Sequence, residues 1–362
     1  MSTVLNSWND NSKNKEQIIT FVEKITTEGS DYFVPVEDRI AVFDNDGTLW
    51  AERPNYFQAD FIKSQTEGEE AVRNVIKPDL SQFPENIRKA IEDSEGNKDW
   101  EGIKFLVDAF QQISTDEYIT KAREFVEQNH SSISFEDDGQ DFVRFDAPYI
   151  DLTFKPVIEL VQYLQSKEFQ VYICSGGEVH FVRSFAEEAY GIPPQNIIGS
   201  AFFRLFDQQD GGVLVRKPIL CQYNDAMGKP SGIELHVGKR PIIAVGNSSG
   251  DYQMFQYTSA DKDKSLIVLI NHDDEEREYC YNNVPHAIEN NEPLNQSLDH
   301  AQDHENWLVV SMKDDFKTIF EKNPPRLSAS KSKVAKTSIP SELSAMIQQL
   351  DKIVDKLKDL CN

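Results

Sequence analysis

Short apolar runs bounded by turn residues alternate along this chain with longer stretches of helical spacing. Ile40-Ala41-Val42-Phe43 is too short for a helix and is stopped by Gly47, so it predicts a buried strand. Upstream, Ile18, Ile19, Phe21, Val22 and Ile25 predict an amphipathic lead-in helix over 16–26. Val157, Ile158, Leu160, Val161 and Leu164 predict a helix over 156–166 that leads into the strand Gln170-Val171-Tyr172-Ile173-Cys174-Ser175. Helix followed by strand is the grammar of a parallel sheet. A further helix is expected over 181–190 and a short strand over 196–200. Residues 201–206 and 213–216, joined through Asp210-Gly211-Gly212, read as a hairpin. Three more runs, 241–246, 265–271 and 307–312, are apolar almost throughout, as strands covered on both faces are.

Between 51 and 149 the pattern changes, with helical periodicity over 56–65, 84–95, 100–112 and 116–130 and no convincing buried strand. Ser114 followed by Glu117 is a capping box that marks the last start. After Pro324-Pro325, residues 326–337 are rich in Ser and Lys and carry no acid, the composition of a flexible linker. Beyond it Ile339, Leu343, Met346, Leu350, Ile353, Leu357 and Leu360 alternate by fours and threes, a heptad seam. The chain is therefore expected to be an α/β protein with a core from 1–50 and 150–324, a helical insertion at 51–149, a linker at 325–338 and an amphipathic helix at 339–362. That last helix either docks on its parent domain or joins copies into a homo-oligomer through 339–360.

Charge and composition narrow the function. A formal net charge of -24 argues against a nucleic-acid or anionic-membrane partner, both of which need an excess of Lys and Arg. Four cysteines without a CxxC spacing suggest reduced thiols, Cys174 being plain core. No run approaches the roughly 20 apolar residues of a membrane span, and the polar first fifteen residues lack a secretory middle, so a cytoplasmic location is expected.

Candidate chemistry lies at the ends of the apolar runs. Asp44 and Asp46 are two apart after the first strand, where open α/β sheets hold ligands. Two such carboxylates repel unless a cation or a shared proton relieves them, although an Asx turn alone would also use these residues. Ser175-Gly176-Gly177 offers a hydroxyl and exposed backbone N–H groups at a strand end; alone it is an ordinary turn. Lys229 opens a predicted helix in Gly228-Lys229-Pro230, and Gly246-Asn247-Ser248-Ser249-Gly250-Asp251 offers oxygen side chains suited to a hard cation.

In this order the four stretches resemble the haloacid dehalogenase-like hydrolase superfamily, specifically its phosphoserine-phosphatase-like branch, over about 39–312. The resemblance implies a Rossmann-like parallel sheet with an inserted helical cap, and a phosphatase acting on a small phosphorylated metabolite. Carried over residue by residue, it makes Asp44 the nucleophile, Asp46 the general acid and base, and Ser175 and Gly176 the phosphate site. Lys229 would be the cation serving both. Mg²⁺ would be held by Asp44, the Asp46 carbonyl, Asn247 and Asp251. An acid at Asp46 favours phosphate esters over carbon–halogen bonds, because a halide leaves without a proton. Two positions depart from the pattern: Asn247 stands where Asp is common, and Ser249 where Asp is expected, which removes anionic ligands. The rival readings are a catalytically weakened binding or assembly module and a phosphotransferase with an acceptor other than water. Glu52-Arg53, the charge run His272–Glu276 and the pair His300 and His304 read as surface charges.

Overall fold

The computed structural model describes residues 4–66, 85, 113–132, 143–208, 211–261, 263–281, 288–289, 292–293 and 295–328. The helices expected at 84–95 and 100–112 and the heptad helix at 339–362 lie outside the described residues, apart from residue 85.

Seven strands make the central sheet: β1 (Ile40–Phe43), β2 (Gln170–Glu178), β3 (Ile197–Asp207), β4 (Val213–Gln222), β5 (Ile243–Gly246), β6 (Leu266–Asn271) and β7 (Trp307–Ser311). Their spatial order is β7-β6-β5-β1-β2-β3-β4, parallel except for the antiparallel β3–β4 edge pair. This is a Rossmann-like α/β fold, and its central strands bury both faces. Ala41, Phe43, Ile173, Val245 and Val268 face one core cluster, while Val42, Cys174, Ala244, Ile267 and Leu269 face another. Alternation along an extended chain sends neighbours to opposite sides, so a strand covered on both needs an unbroken apolar run.

Helices cover the sheet where their apolar stripes dictate. In α1 (Lys13–Thr26), Ser12 Oγ accepts from Lys15 N at 3.0 Å as the N-cap, and Ile18, Val22 and Ile25 are buried one turn apart. The next helices are α2 (Phe57–Thr66), α3 (Thr115–Val126), in which Ser114 caps Glu117 N, and α4 (Lys155–Ser166). In α4 Pro156 opens the helix, and Val157, Leu160, Val161 and Leu164 are buried, each worth about 1.5–3 kcal/mol of transfer free energy. Later come α5 (Gly228–Val237) and α6 (Tyr252–Thr258).

Three elements differ from the expected pattern. Residues 197–207 form one strand, whose first half pairs with β2 in parallel and whose second half turns to β4; the short strand and hairpin arm were one run with two partners. Val143–Phe145, within the stretch read as helical, pairs antiparallel with Arg326–Ser328, at the start of the expected linker. Three residues per strand are too few for alternation to show. The run His272–Glu276 opens no helix. Asp274 Oδ1 instead accepts from Glu276 N and Arg277 N, closing a tight turn that buries His272 and Asp274. His300 and His304 stack on each other at 3.8 Å, beside Trp307. Among the described residues no helix is long and apolar enough to cross a membrane.

Candidate active site

The parallel register sets the site. Phe43 lies opposite Ile173 on one side and Val245 on the other, and the pairing of β1 with both neighbours stops there, while β2 runs on to Glu178. The residues that follow, Asp44, Cys174-Ser175 and Gly246-Asn247, emerge side by side, in the crevice beyond the carboxyl ends of strands that this architecture favours for ligands. Asp44 N donates to Val245 O at 2.8 Å, which prolongs the sheet by one bond and fixes the aspartate.

Lys229, in the first turn of α5, reaches the same point. Its ammonium is buried and donates to Asp44 Oδ1 and Asp251 Oδ1, each at 2.6 Å. Burial opposes its charge, but Asp251 and Asp44 overcome that and hold Lys229 well above the ordinary lysine range. One ammonium between two buried carboxylates leaves a surplus negative charge. Burial, then Asp251, push the Asp44 carboxyl well up against the pull of Lys229.

Asp251 is engaged at both oxygens: Oδ2 accepts from Asn247 N at 2.9 Å and Ser248 N at 3.1 Å, while Oδ1 takes Lys229. A Cβ at Gly246 would stand 2.5 Å from this carboxylate, so glycine is required for the loop to close over it. The Asn247 amide lies between Thr48 Oγ1, which donates to its oxygen at 3.3 Å, and Glu52, which accepts from its nitrogen at 3.1 Å.

Asp46 accepts from Trp50 Nε1 at 2.7 Å and Asn45 Nδ2 at 3.3 Å, both on Oδ1. Tyr190 OH in turn holds Asn45 Oδ1. Burial, partly offset by the Trp50 bond and reinforced by Glu52, pushes the Asp46 carboxyl up to about 6. A carboxyl in that range changes protonation near neutral pH, which suits proton transfer in either direction.

Ser175 is buried and its Oγ accepts from Gly177 N at 3.0 Å, which leaves the hydroxyl proton free to be donated. A Cβ placed on Gly177 would meet Gln58 Oε1 at 2.8 Å, Ser175 Oγ at 3.3 Å and Asp46 Oδ2 at 4.0 Å, so these groups converge on a space that glycine keeps open. Gly176 faces Asp225, whose carboxyl also lies against Gly250. Asn224 Nδ2 donates to Ser175 O at 2.9 Å and Ser200 Oγ to Gly176 O at 2.7 Å, bracing the turn from outside.

The structure thus brings together every residue singled out from the sequence: Asp44, Asp46, Ser175, Gly176, Lys229, Asn247 and Asp251. It adds others. Glu52, expected at the surface, is buried, and Arg53 lies 4.4 Å over the Tyr281 ring. Asp225 lies against both the 175–177 and the 246–251 turns. Glu178, at the end of β2, is buried between Arg204 at 2.9 Å and Arg216 at 3.3 Å, and its N–H donates to Gln58 of α2. Burial would raise the Glu178 carboxyl, yet Arg216 and Arg204 hold it below the usual range. The only signal for these residues in the sequence was their nearness to the glycine turns.

The donor set fits Mg²⁺. Asp44 carries surplus charge, and the Asp46 carbonyl and Asn247 amide add hard oxygen donors. Among the described residues no three acidic, histidine or cysteine side chains form a ready-made metal cage. Mg²⁺ does not need one, since it commonly takes one or two carboxylates and completes its shell with phosphate and water.

A model of haloacid dehalogenase-like hydrolases matches residues 39–257. No curated protein sequence matches the chain. Among solved structures, a conserved protein of unknown function from Anaerococcus prevotii DSM 20548 is similar at 13% identity and TM-score 0.48, covering 76% of this chain and 89% of that one. A protein of unknown function from Bordetella pertussis Tohama I is similar at 13% identity and TM-score 0.41, covering 75% and 97%. A substrate-bound phosphoserine phosphatase is similar at 16% identity and TM-score 0.27, covering 64% and 86%. The family model spans more than half of the chain and takes in all the strand ends described above, and the chain belongs to the haloacid dehalogenase-like hydrolases.

Proposed function

We propose that this chain is a Mg²⁺-dependent phosphomonoester hydrolase that works through an aspartyl-phosphate on Asp44, acting on a small phosphorylated metabolite. The observation that carries the reading is the convergence, where β1 stops pairing with its neighbours, of a carboxylate on a buried ammonium with a second, protonatable carboxyl two residues away. In the first step a carboxylate oxygen of Asp44 bonds to phosphorus and the bond from phosphorus to the ester oxygen breaks. Asp46 gives its proton to the departing oxygen. In the second step Asp46 takes a proton from water as the water oxygen bonds to phosphorus, and the acyl-phosphate bond breaks to restore Asp44.

Lys229 positions Asp44 and sets a positive charge beside the phosphoryl oxygens, while Ser175 Oγ and the turn amides of 175–177 donate to them. Asp251 holds Lys229 and the 246–251 turn. Mg²⁺, held by Asp44, the Asp46 carbonyl and Asn247, would supply the remaining charge neutralisation; Asp251, expected from the sequence as a further ligand, is left out of this set because Lys229 and the Asn247 and Ser248 amides already engage both its oxygens. With Asn247 in place of an acid, half-saturation is expected to need millimolar rather than micromolar metal.

Hydrolysis of a panel of alkyl and aryl phosphates should appear with millimolar Mg²⁺ and vanish with EDTA. No turnover across the panel with Mg²⁺ present would refute the proposal and favour a binding or assembly role. Leaving groups separate the part of Asp46 further. Asp46→Asn should lower kcat/KM for alkyl phosphates by about 10²–10⁴-fold. For p-nitrophenyl phosphate, whose phenolate leaves without a proton, the loss should be at least tenfold smaller. Equal losses for both would remove Asp46 from the acid role.

A further inference from the structure

The charge run after β6 contains a buried pair that the proposed chemistry does not use. His272 and Glu278 are both fully buried. His272 Nδ1 lies 3.0 Å from Glu278 Oε2, and its Nε2 lies 2.7 Å from the carbonyl oxygen of Gly47, 225 residues earlier in the chain. A carbonyl can only accept, so Nε2 carries a proton and donates it. Among the described residues Glu278 Oε1 has no hydrogen-bond partner, so there the carboxyl is engaged by the imidazole. The ring is fixed on a further side by Tyr281, stacked at 4.4 Å and 21°.

Gly47 is the residue around which the Asp44–Trp50 turn reverses. Its φ is +71°, and a Cβ there would lie 2.2 Å from Asn247 Nδ2 and 2.8 Å from Glu52 Cδ. Its N–H donates to Trp50 O at 2.9 Å, and the same Trp50 holds Asp46 Oδ1 through its indole. The Gly47 carbonyl is therefore held from outside the turn by a side chain just after β6. A buried carboxylate that grips an imidazole so that its far nitrogen points at one atom is an orienting device.

We infer that His272, oriented by Glu278, is a positioning residue for catalysis: it clamps the Gly47 carbonyl and so fixes the turn that presents Asp46 and its backbone carbonyl to the reaction. The inference rests on the phosphatase reading for its rate readout and on the geometry alone for its structural one. Displacing a reacting group by about 1 Å costs on the order of 10²-fold in rate. His272→Leu in the full chain should therefore lower kcat on an alkyl phosphate, whose leaving group needs the Asp46 proton, by about 10²-fold with KM changed less than threefold. His272→Gln, whose amide N–H still reaches the carbonyl, should recover at least tenfold of that loss.

Hydrogen exchange reads the clamp without turnover: the amides of 45–50 should exchange at least tenfold faster in His272→Leu while those of β5 keep their wild-type protection. Should His272→Leu fail to fold because Glu278 is left buried and unpaired, the double variant His272→Leu/Glu278→Leu removes that charge and carries the same expectations. A folded variant with wild-type kcat, or with unchanged exchange over 45–50, overturns the clamp. If the wild-type protein hydrolyses nothing, the phosphatase reading fails, and the exchange measurement still decides the clamp.

Discussion

Asp44→Asn will abolish hydrolysis of p-nitrophenyl phosphate, lowering kcat by more than about 10³-fold, and leave the protein folded. Both halves follow from the same contact. An amide cannot form the acyl phosphate, so the covalent route is closed. The amide oxygen still accepts from Lys229, and the substitution removes a carboxyl that burial first, and the Asp251 charge second, push well above its ordinary range. The urea midpoint of the variant should equal or exceed that of the wild type, read alongside the rate. A loss of activity accompanied by unfolding would point to a structural part for Asp44 and would not count as support.

Lys229→Met should be the most destabilising single change at the site. Asp44 and Asp251 both lose the ammonium they share, and breaking a buried pair by removing one member costs about 3–5 kcal/mol because the remaining charges stay buried. Equilibrium urea denaturation in EDTA measures this. Adding Asp44→Asn to Lys229→Met should recover about 1–3 kcal/mol, since neighbours in one charge network are not additive. The sign with pH is fixed as well. In Lys229→Met the Asp44 carboxyl, pushed up by burial and no longer pulled down by the ammonium, has a folded pKa above its unfolded one, so the stability it contributes is full below the ordinary carboxylate range and is lost as pH rises through the raised folded pKa. A single variant within about 1 kcal/mol of wild type would contradict the pairing described here.

Asp44, Ser175 and Asn247 were legible because each follows a contiguous apolar run, and adjacent parallel strands in register bring such positions together. Asp44, Ser175 and Asn247 needed only the strand ends; Lys229 and Asp251 needed only a turn of helix or loop beyond them. His272, Glu278 and Glu52 were hidden for a common reason. In sequence they belong to charged runs, and charged runs are usually solvated. What buries them is a long-range contact: Gly47 O for His272 and Asn247 Nδ2 for Glu52. No local periodicity encodes that.

The fold divides in the same way. Ile40–Phe43 and Leu266–Asn271 announce themselves by unbroken apolar content, whereas Val143–Phe145 and Arg326–Ser328 are strands only because each finds the other across the chain. The continuation of β3 past Ser200 was equally hidden, since its two halves have different partners and burial alternates only in part.

The central claim, a covalent bond from phosphorus to Asp44, can be read directly. Wild-type protein turning over p-nitrophenyl phosphate with Mg²⁺ is quenched into borohydride, which reduces an acyl phosphate to the alcohol, and the peptide containing 44 is sequenced by mass spectrometry. Homoserine at position 44, absent when substrate or Mg²⁺ is omitted, is the expected result. Sustained turnover with Asp44 recovered wholly as aspartate, or with the reduced residue at another carboxylate, would contradict the account.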